Sequence, residues 1–265
     1  MAMAAETTGR PEEGVRSVVL AFRVIRFLAD ADGERGVTAI AQGLGANKAS
    51  VYRHLRTLVS LGYVDQDPRT EKYRVGVGLY LLGRAAGEQI DILREARRVM
   101  ERLRDDHGHA VTLGRPVDDG ILIVEMLRGL SPIEIATRPG YIFPYHATAQ
   151  GKLALAFGPP QWMERVLAAP LTKPTARTVT DPDRLKSDVE TVRLQGWAVA
   201  PEEILPGLNA LAAPVLGANG FLVATLSIVG SVKYIGPVPE DDMLRDIVAG
   251  AREVSHGLGY RDAAE

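Results

Sequence analysis

The sequence predicts an α+β protein in two parts: a small helical head, then a larger domain in which strands and helices are mixed. Three observations carry the prediction. Apolar residues recur at helical spacing in three successive runs between Val18 and Leu58, with short gaps between them. From Ala110 onward, strand-like runs rich in Val, Ile, Leu and Thr are interspersed with helical ones, without the regular alternation of a doubly wound sheet. Charge divides in the same way: from Val15 to Arg104 Lys and Arg outnumber Asp and Glu by 16 to 10, and from Asp105 to Glu265 the acids lead by 20 to 14. A basic head suits a module that meets a polyanion, since lysines and arginines that reach phosphates release counterions.

Residues 1–14 carry Gly, Pro, Thr and Glu without an apolar pattern and read as a mobile tail. SVVLAFRVIRFLADADG follows, with Val18, Ala21, Ile25 and Leu28 on one stripe, Ser17 placed to cap it and Asp32-Gly33 to end it. VTAIAQGLG is a short second helix with Ile40 and Leu44 turned inward and Gly45 closing it. In NKASVYRHLRTLVSLGY, Asn47 is a good cap and Val51, Leu55 and Leu58 form an apolar stripe. Ala49, Arg53, Arg56, Thr57 and Ser60 fall opposite that stripe. Two helices joined by a tight glycine turn after a longer first helix form a helix-turn-helix, whose later helix enters the major groove.

After Gly62, Tyr63-Val64 and Tyr73-Arg74-Val75 are strand-like, with DPRT as the turn between them. A hairpin directly after a recognition helix is a wing, and Arg69 at its tip, with Lys72 and Arg74 nearby, would lie against a phosphate backbone or minor groove. GVGLYLLGRAAGEQIDILREARRVMERLRDDHG is largely helical, with Gly87 as a break and Ile92, Ala96, Val99 and Leu103 on one stripe. AVTLGRP, GILIVEML and SPIEIAT then read as strands, and HATAQGKLALAFG, QWMERVLAA and SDVETVRLQGW as helices. LNALAAPVLGANGFLVATLSIVG reads as two strands turning at Ala218-Asn219-Gly220, and a last helix runs from about Asp241 to His256.

Several of these segments together resemble the IclR-type bacterial transcription regulators. The likeness spans Val15 to Tyr260 and rests on NKASVYRHLRTLVSLGYV leading into KYRVGVGLYLLG, on FPYHATAQGKLALAF, on TVTDPDRLKSDVETVRLQGWAV, on PEEILPGLNALAAPV and on NGFLVATLSIVG. It implies a winged helix-turn-helix over 15–78, a linker helix over 79–100 that dimerises the DNA-binding parts, and over 101–262 an effector-binding domain similar to GAF and PAS sensors. The partners it implies are double-stranded operator DNA, a small-molecule effector, and further copies of the chain as a dimer or a dimer of dimers.

On the family's pattern, Lys48, Ala49, Ser50, Tyr52 and Arg53 meet DNA from the first turns of the recognition helix, with Arg56, Arg69 and Lys72 beside them. Arg53 suits the O6 and N7 of a guanine, and Lys48 and Ser50 suit phosphates. The effector site is expected around HATAQGK, where a helix beginning near Ala147 would aim the N–H groups of Ala149 and Gln150 at an anion or carbonyl oxygen. The resemblance supplies the other walls: Pro132, Ile133, Tyr141 and Ile142 before that helix, the stretch from Ala200 through Leu208 to Ala210, and Ser227 and Val229 on the final strand. Members that take small organic acids carry acidic, thiol or hydroxyl groups where this chain has Ala200, Ala210 and Val229. Three apolar residues there imply a larger, greasier ligand, aromatic or phenolic.

Other constellations fail on their chemistry. Gly76 and Gly78 are not followed by a third glycine at the spacing of a dinucleotide fingerprint, and His146 stands where a phosphate loop before Gly151-Lys152 needs glycine. His107 and His109 beside Asp105 and Asp106 read as a solvated turn, Glu202-Glu203 as a loop or helix start with diverging side chains, and Ser227 has no glycine elbow. No cysteine occurs, which removes disulfides, thiol nucleophiles and thiolate metal sites. Neither metal nor other cofactor is expected, and catalysis has no candidate. The start lacks a basic segment followed by an apolar one, and no run approaches membrane-spanning length, so a cytoplasmic protein is expected. A ligand-responsive transcription regulator, repressing a catabolic operon, is the leading reading. An amidase-like enzyme fused to a DNA-targeting head, or a constitutive DNA binder, are the alternatives.

Overall fold

A computed structural model describes residues 15–89, 91–131 and 137–261. The expected tail over 1–14 and most of the SPIEIAT strand lie outside these residues, as do Pro132 and Ile133. The chain divides into two compact units, Met1–Gln89 and Ile90–Glu265.

In the first unit α1 (Arg16–Ala29), α2 (Val37–Gly43) and α3 (Lys48–Ser60) close around Val24, Leu28, Ile40, Val51, Leu55 and Leu58. The α1 stripe differs from the expected one. Val24 is fully buried whereas Val18 is 51% exposed, because the core begins one turn later than the apolar run does. Ser17 lies inside the helix rather than capping it; the cap position is Val15, which offers no side-chain bond. Beyond α3, β1 (Val64–Gln66) and β2 (Tyr73–Val75) pair antiparallel in the register Val64 to Val75 and Gln66 to Tyr73. Arg35 adds a bridge to the far side of Tyr73, its N–H reaching the Tyr73 carbonyl at 2.9 Å. Gly76 and Gly78 have a packing reason: a Cβ at either would come within 2.5 or 2.7 Å of the Gly62 carbonyl oxygen. The unit ends in α4 (Val77–Gln89), which runs through Gly87 without the expected break.

The second unit is built on a six-stranded antiparallel sheet in the order β5-β4-β3-β8-β7-β6. Its strands are β3 (Ala110–Val117), β4 (Gly120–Leu127), β5 (Ile142–Phe143), β6 (Ala198–Val199), β7 (Leu208–Leu216) and β8 (Leu222–Ser231). Side chains alternate between the two faces, and both faces are covered. On one face Val111, Leu113, Leu211, Ala213, Leu226 and Ile228 pack against α5 (Asp91–His107) and α9 (Asp241–Gly257). On the other, Ile121, Ile123, Ala212 and the half-buried Met126 and Ala210 pack with α6 (Ala149–Phe157) and α8 (Pro182–Gln195), while α7 (Pro160–Leu167) adds partly buried residues. The α8 helix begins earlier than the sequence suggested, because Asp181 caps it by accepting from the Arg184 N–H and Pro182 takes the first helical position.

The segment expected as one linker over 79–100 is divided between the units. Ile92, Ala96, Val99, Met100 and Leu103 are committed to the core of the second unit, so α5 belongs to that domain from its first turn. His107 and His109 do not form a solvated turn. The His107 Nε2 lies 3.2 Å from Asp246 Oδ2 on α9, and the His109 ring is tilted against Tyr234 with centroids 5.6 Å apart.

Candidate functional site

Asn47 shapes the start of α3: its side-chain oxygen accepts from the N–H groups of Ala49 at 2.9 Å and Ser50 at 3.2 Å. Gly45 makes the turn before it at φ +59°, a conformation that only glycine adopts freely. With Val51, Leu55 and Leu58 locked in the core, the opposite side of α3 faces outward: Lys48, Ala49, Tyr52, Arg53, Arg56, Thr57 and Ser60 are exposed and Ser50 is half-buried. Neither Arg53, Arg56 nor Lys48 has an ion-pair partner among the described residues. The wing carries Arg69 and Lys72, both exposed and equally without an ion pair among the described residues. Asp67 orders the tip by accepting from the N–H groups of Arg69 at 2.7 Å and Thr70 at 3.0 Å. The backbone N–H of Thr70, then that of Arg69, holds the Asp67 carboxyl below the usual carboxylate range. Arg74 differs from its neighbours, being occupied by Glu34 at 3.3 Å and Asp65 at 3.8 Å.

Of the residues expected around an effector, Ala149, Gln150, Ala200, Ala210 and Ser227 lie on the α6 side of the sheet. Antiparallel register sets Ala210 opposite Val229 and Ala212 opposite Ser227, with Leu208 two residues before Ala210 on the same side. Ala110 and Thr112 continue those rows on β3, opposite Val229 and Ser227 respectively. Ala200 is buried, its N–H bound to Asn209 Oδ1 at 3.1 Å. The α6 helix starts at Ala149, not Ala147, because Thr148 is its cap and accepts from the Gly151 N–H at 2.9 Å. The N–H groups of Ala149 and Gln150 have no acceptor among the described residues. The Gln150 side chain is occupied by the sheet, donating to the Thr225 carbonyl at 3.1 Å, which leaves at the helix start the backbone N–H that the expectation named. One expectation changes. Ile142 pairs with Leu122, and its neighbour Phe143, opposite Ile121, is the one that packs with α6.

Two features of this face were missed from the sequence. Thr112 and Ser227 share a hydroxyl bond of 2.7 Å in a fully buried setting. Lys152 is buried, with its Nζ 2.5 Å from Glu203 Oε1 and 3.1 Å from Asp188 Oδ2. A lone lysine at the head of the apolar run LALAF was the signal for a buried pair, although nothing in the sequence names its partners. A cleft of about 660 Å³ lies along the outer side of α9, between Trp197, Leu244, Arg245, Val248 and His256. It holds none of the expected residues, and the convergence of those residues on α6 is the better guide to a binding site.

Residues 17–68 match the model of the IclR helix-turn-helix domain, and residues 85–256 match that of the bacterial transcriptional regulator IclR C-terminal domain. The chain belongs to the IclR family. It is a ligand-responsive, DNA-binding transcription regulator of that family, not an enzyme. Among characterised IclR relatives, the HTH-type transcriptional regulator KdgR of Dickeya chrysanthemi is 29% identical over 261 residues, covering 98% of this chain and 85% of that protein. An IclR regulator of solved structure from Alicyclobacillus acidocaldarius superposes with a TM-score of 0.80 at 27% identity, over 93% of this chain and 98% of its own. An IclR homologue from Microbacterium hydrocarbonoxydans, solved in complex with 4-hydroxybenzoate, has the same fold at a TM-score of 0.82 and 21% identity, over 91% of this chain and 98% of that one. Among the described residues no helix is long and apolar enough to cross a membrane.

Proposed function

We propose that this IclR regulator represses a catabolic operon in the cytoplasm, gripping operator DNA as a dimer through α3 and the wing, and that an aromatic or phenolic acid on the α6 face changes that grip. The carrying observation is the pair of exposed arginines, Arg53 and Arg56, opposite the buried stripe of α3 and without an ion pair among the described residues. Lys48, Ser50, Tyr52, Arg69 and Lys72 complete the reading surface. Guanidinium forks can hold guanine edges bidentately, and the lysines and wing tip suit phosphates.

For the effector, the walls support an apolar ring. Ala200, Leu208, Ala210 and Val229 provide no charge, and the same face of the sheet carries the Thr112–Ser227 hydroxyl pair and the start of α6. The N–H groups that begin α6 can donate to a carboxylate, while the rest of a small two- or three-carbon acid would leave the walls unfilled. The 4-hydroxybenzoate bound by the Microbacterium homologue has the chemistry these walls suit. Dimerisation through the helix after the wing draws support from Tyr80, Leu81 and Leu82 of α4, all more than half exposed.

The test combines salt-dependent binding of the full chain to its own upstream DNA with calorimetry against 4-hydroxybenzoate, other aromatic acids, glyoxylate and pyruvate. Affinity that falls steeply with salt, and aromatic acids that bind and alter DNA affinity, are expected. Absence of salt-sensitive attachment removes the operator reading. Binding of the small acids alone removes the effector class.

A further inference from the structure

The described residues place a shared cation behind the wall that runs from Ala200 to Leu208. Lys152 sits in the first turn of α6, and its ammonium is contacted by two carboxylates from different elements: Glu203 Oε1 in the wall at 2.5 Å and Asp188 Oδ2 on α8 at 3.1 Å. Lys152 and Glu203 are buried beyond nine-tenths, while Asp188 is about one-fifth exposed and also bound to Arg184 Nε at 2.9 Å. The second oxygen of Glu203 accepts from the Val179 N–H at 3.2 Å, and Thr178 Oγ1 donates to the Glu203 carbonyl at 2.6 Å. Glu202, in the left-handed region at φ +59°, folds its carboxylate back onto the Gly207 N–H at 2.9 Å, so the wall is a closed loop with its own internal bonds.

A buried ion pair contributes little net stability compared with apolar packing of the same volume, because desolvation offsets the Coulomb attraction, but removing one partner leaves a costly unpaired charge. Asp188 changes that balance for one movement only. If the wall swings outward and takes Glu203 into water, Lys152 keeps a carboxylate and is not orphaned, and the charge that leaves is solvated. The arrangement is therefore a latch with a spare acceptor. Lys152 holds the wall closed through Glu203, and Asp188 lowers the cost of opening.

Building on the effector-site reading above, we propose that Lys152 and Asp188 are positioning residues that gate the effector site by setting how often the 200–208 wall opens. Neither is assigned a contact with the ligand. The latch has a signature that a merely structural ion pair lacks: loss of its two ends acts in opposite directions. Lys152→Met removes the hold on Glu203, so the wall opens more often. Asp188→Asn removes the spare negative charge, so opening leaves the cation without a counter-charge and the wall opens less.

Hydrogen exchange on the full chain reads this directly at the amides of Val179, Glu202, Gly207 and Leu208, with β3 and β8 as internal references for global stability. Relative to wild type, exchange about tenfold faster in Lys152→Met and several-fold slower in Asp188→Asn is expected, with β3 and β8 unchanged. Should Lys152→Met fail to fold, Glu203→Gln tests the same arm and Asp188→Asn the opposite one. Acceleration in both arms, or no change in either, overturns the latch. The effector-class reading is tested separately with 4-hydroxybenzoate as probe: a wild-type chain that ignores it defeats that reading while the exchange result still decides the latch. If the probe binds, its association rate is expected to rise in Lys152→Met and fall in Asp188→Asn.

Discussion

Arg53 stands on the outward side of α3 with its guanidinium held by no carboxylate among the described residues, so reaching a base costs it no existing ion pair. A bidentate arginine to guanine contact carries about 1–3 kcal/mol of discrimination, roughly a 5- to 150-fold change in affinity. Arg53→Ala is expected to lower operator affinity by that factor while binding to random DNA falls much less, as fluorescence anisotropy on the two duplexes would report; equal losses would reduce Arg53 to a phosphate contact. A second residue-scale prediction concerns acid. Burial, and then the nearby His107, lowers the His109 pKa, so the fold favours neutral imidazole. The stability this contributes is present above the unfolded value of about 6.5 and is lost as pH falls through the folded value. Urea midpoints of wild type should therefore drop from about pH 6.5 downward more steeply than those of His109→Phe, which keeps a ring against Tyr234.

At the scale of elements, α6 is held against the chain that precedes it. A Cβ on Gly151 would lie 2.1 Å from the Tyr145 carbonyl oxygen, and backbone there cannot yield as a side-chain tip can. Gly151→Ala is expected to destabilise the second unit by about 1–3 kcal/mol in denaturant unfolding and to weaken effector binding with it; a neutral outcome would mean the helix start is free to shift. Elements with strong local signals were legible in the sequence. The α3 helix has both a cap and an uninterrupted stripe, and β7 and β8 are long, apolar and joined through a turn at Gly220, whose φ of +77° suits it. The α1 stripe was misread because apolar residues occur all around its first turns, Val18, Val19 and Phe22 among them, and periodicity cannot tell which of them the core will claim. The two-residue strands β5 and β6 are defined by their partners rather than by their own sequence, so no local pattern marked them. The expected effector walls came only from family likeness, because no local pattern marks them. The Lys152 pair was hidden because its members lie 51 and 36 residues apart.

For the whole molecule, the division between units falls at Gln89 and Ile90, where the apolar stripe of α5 enters the second core. Periodicity marked that stripe, but whether it served a linker or a domain depended on strands far along the chain. The α4 helix remains with the first unit and leaves Leu81 and Leu82 57% and 52% exposed. Burying each such side chain in a partner yields about 1.5–3 kcal/mol, so the double substitution Leu81→Ser with Leu82→Ser should weaken self-association by at least about a hundredfold. Sedimentation at micromolar concentration would then move toward single chains, and DNA half-sites would be bound singly. Unchanged association would locate the contact elsewhere.

Alternation along β8 has a mechanical result. Ser227 faces α6, while Leu226 and Ile228 on either side of it belong to the core packed on α5 and α9. A ligand that nudges Ser227 thus pries on both sides of the sheet through a single peptide in each direction, with no relay of intervening side chains.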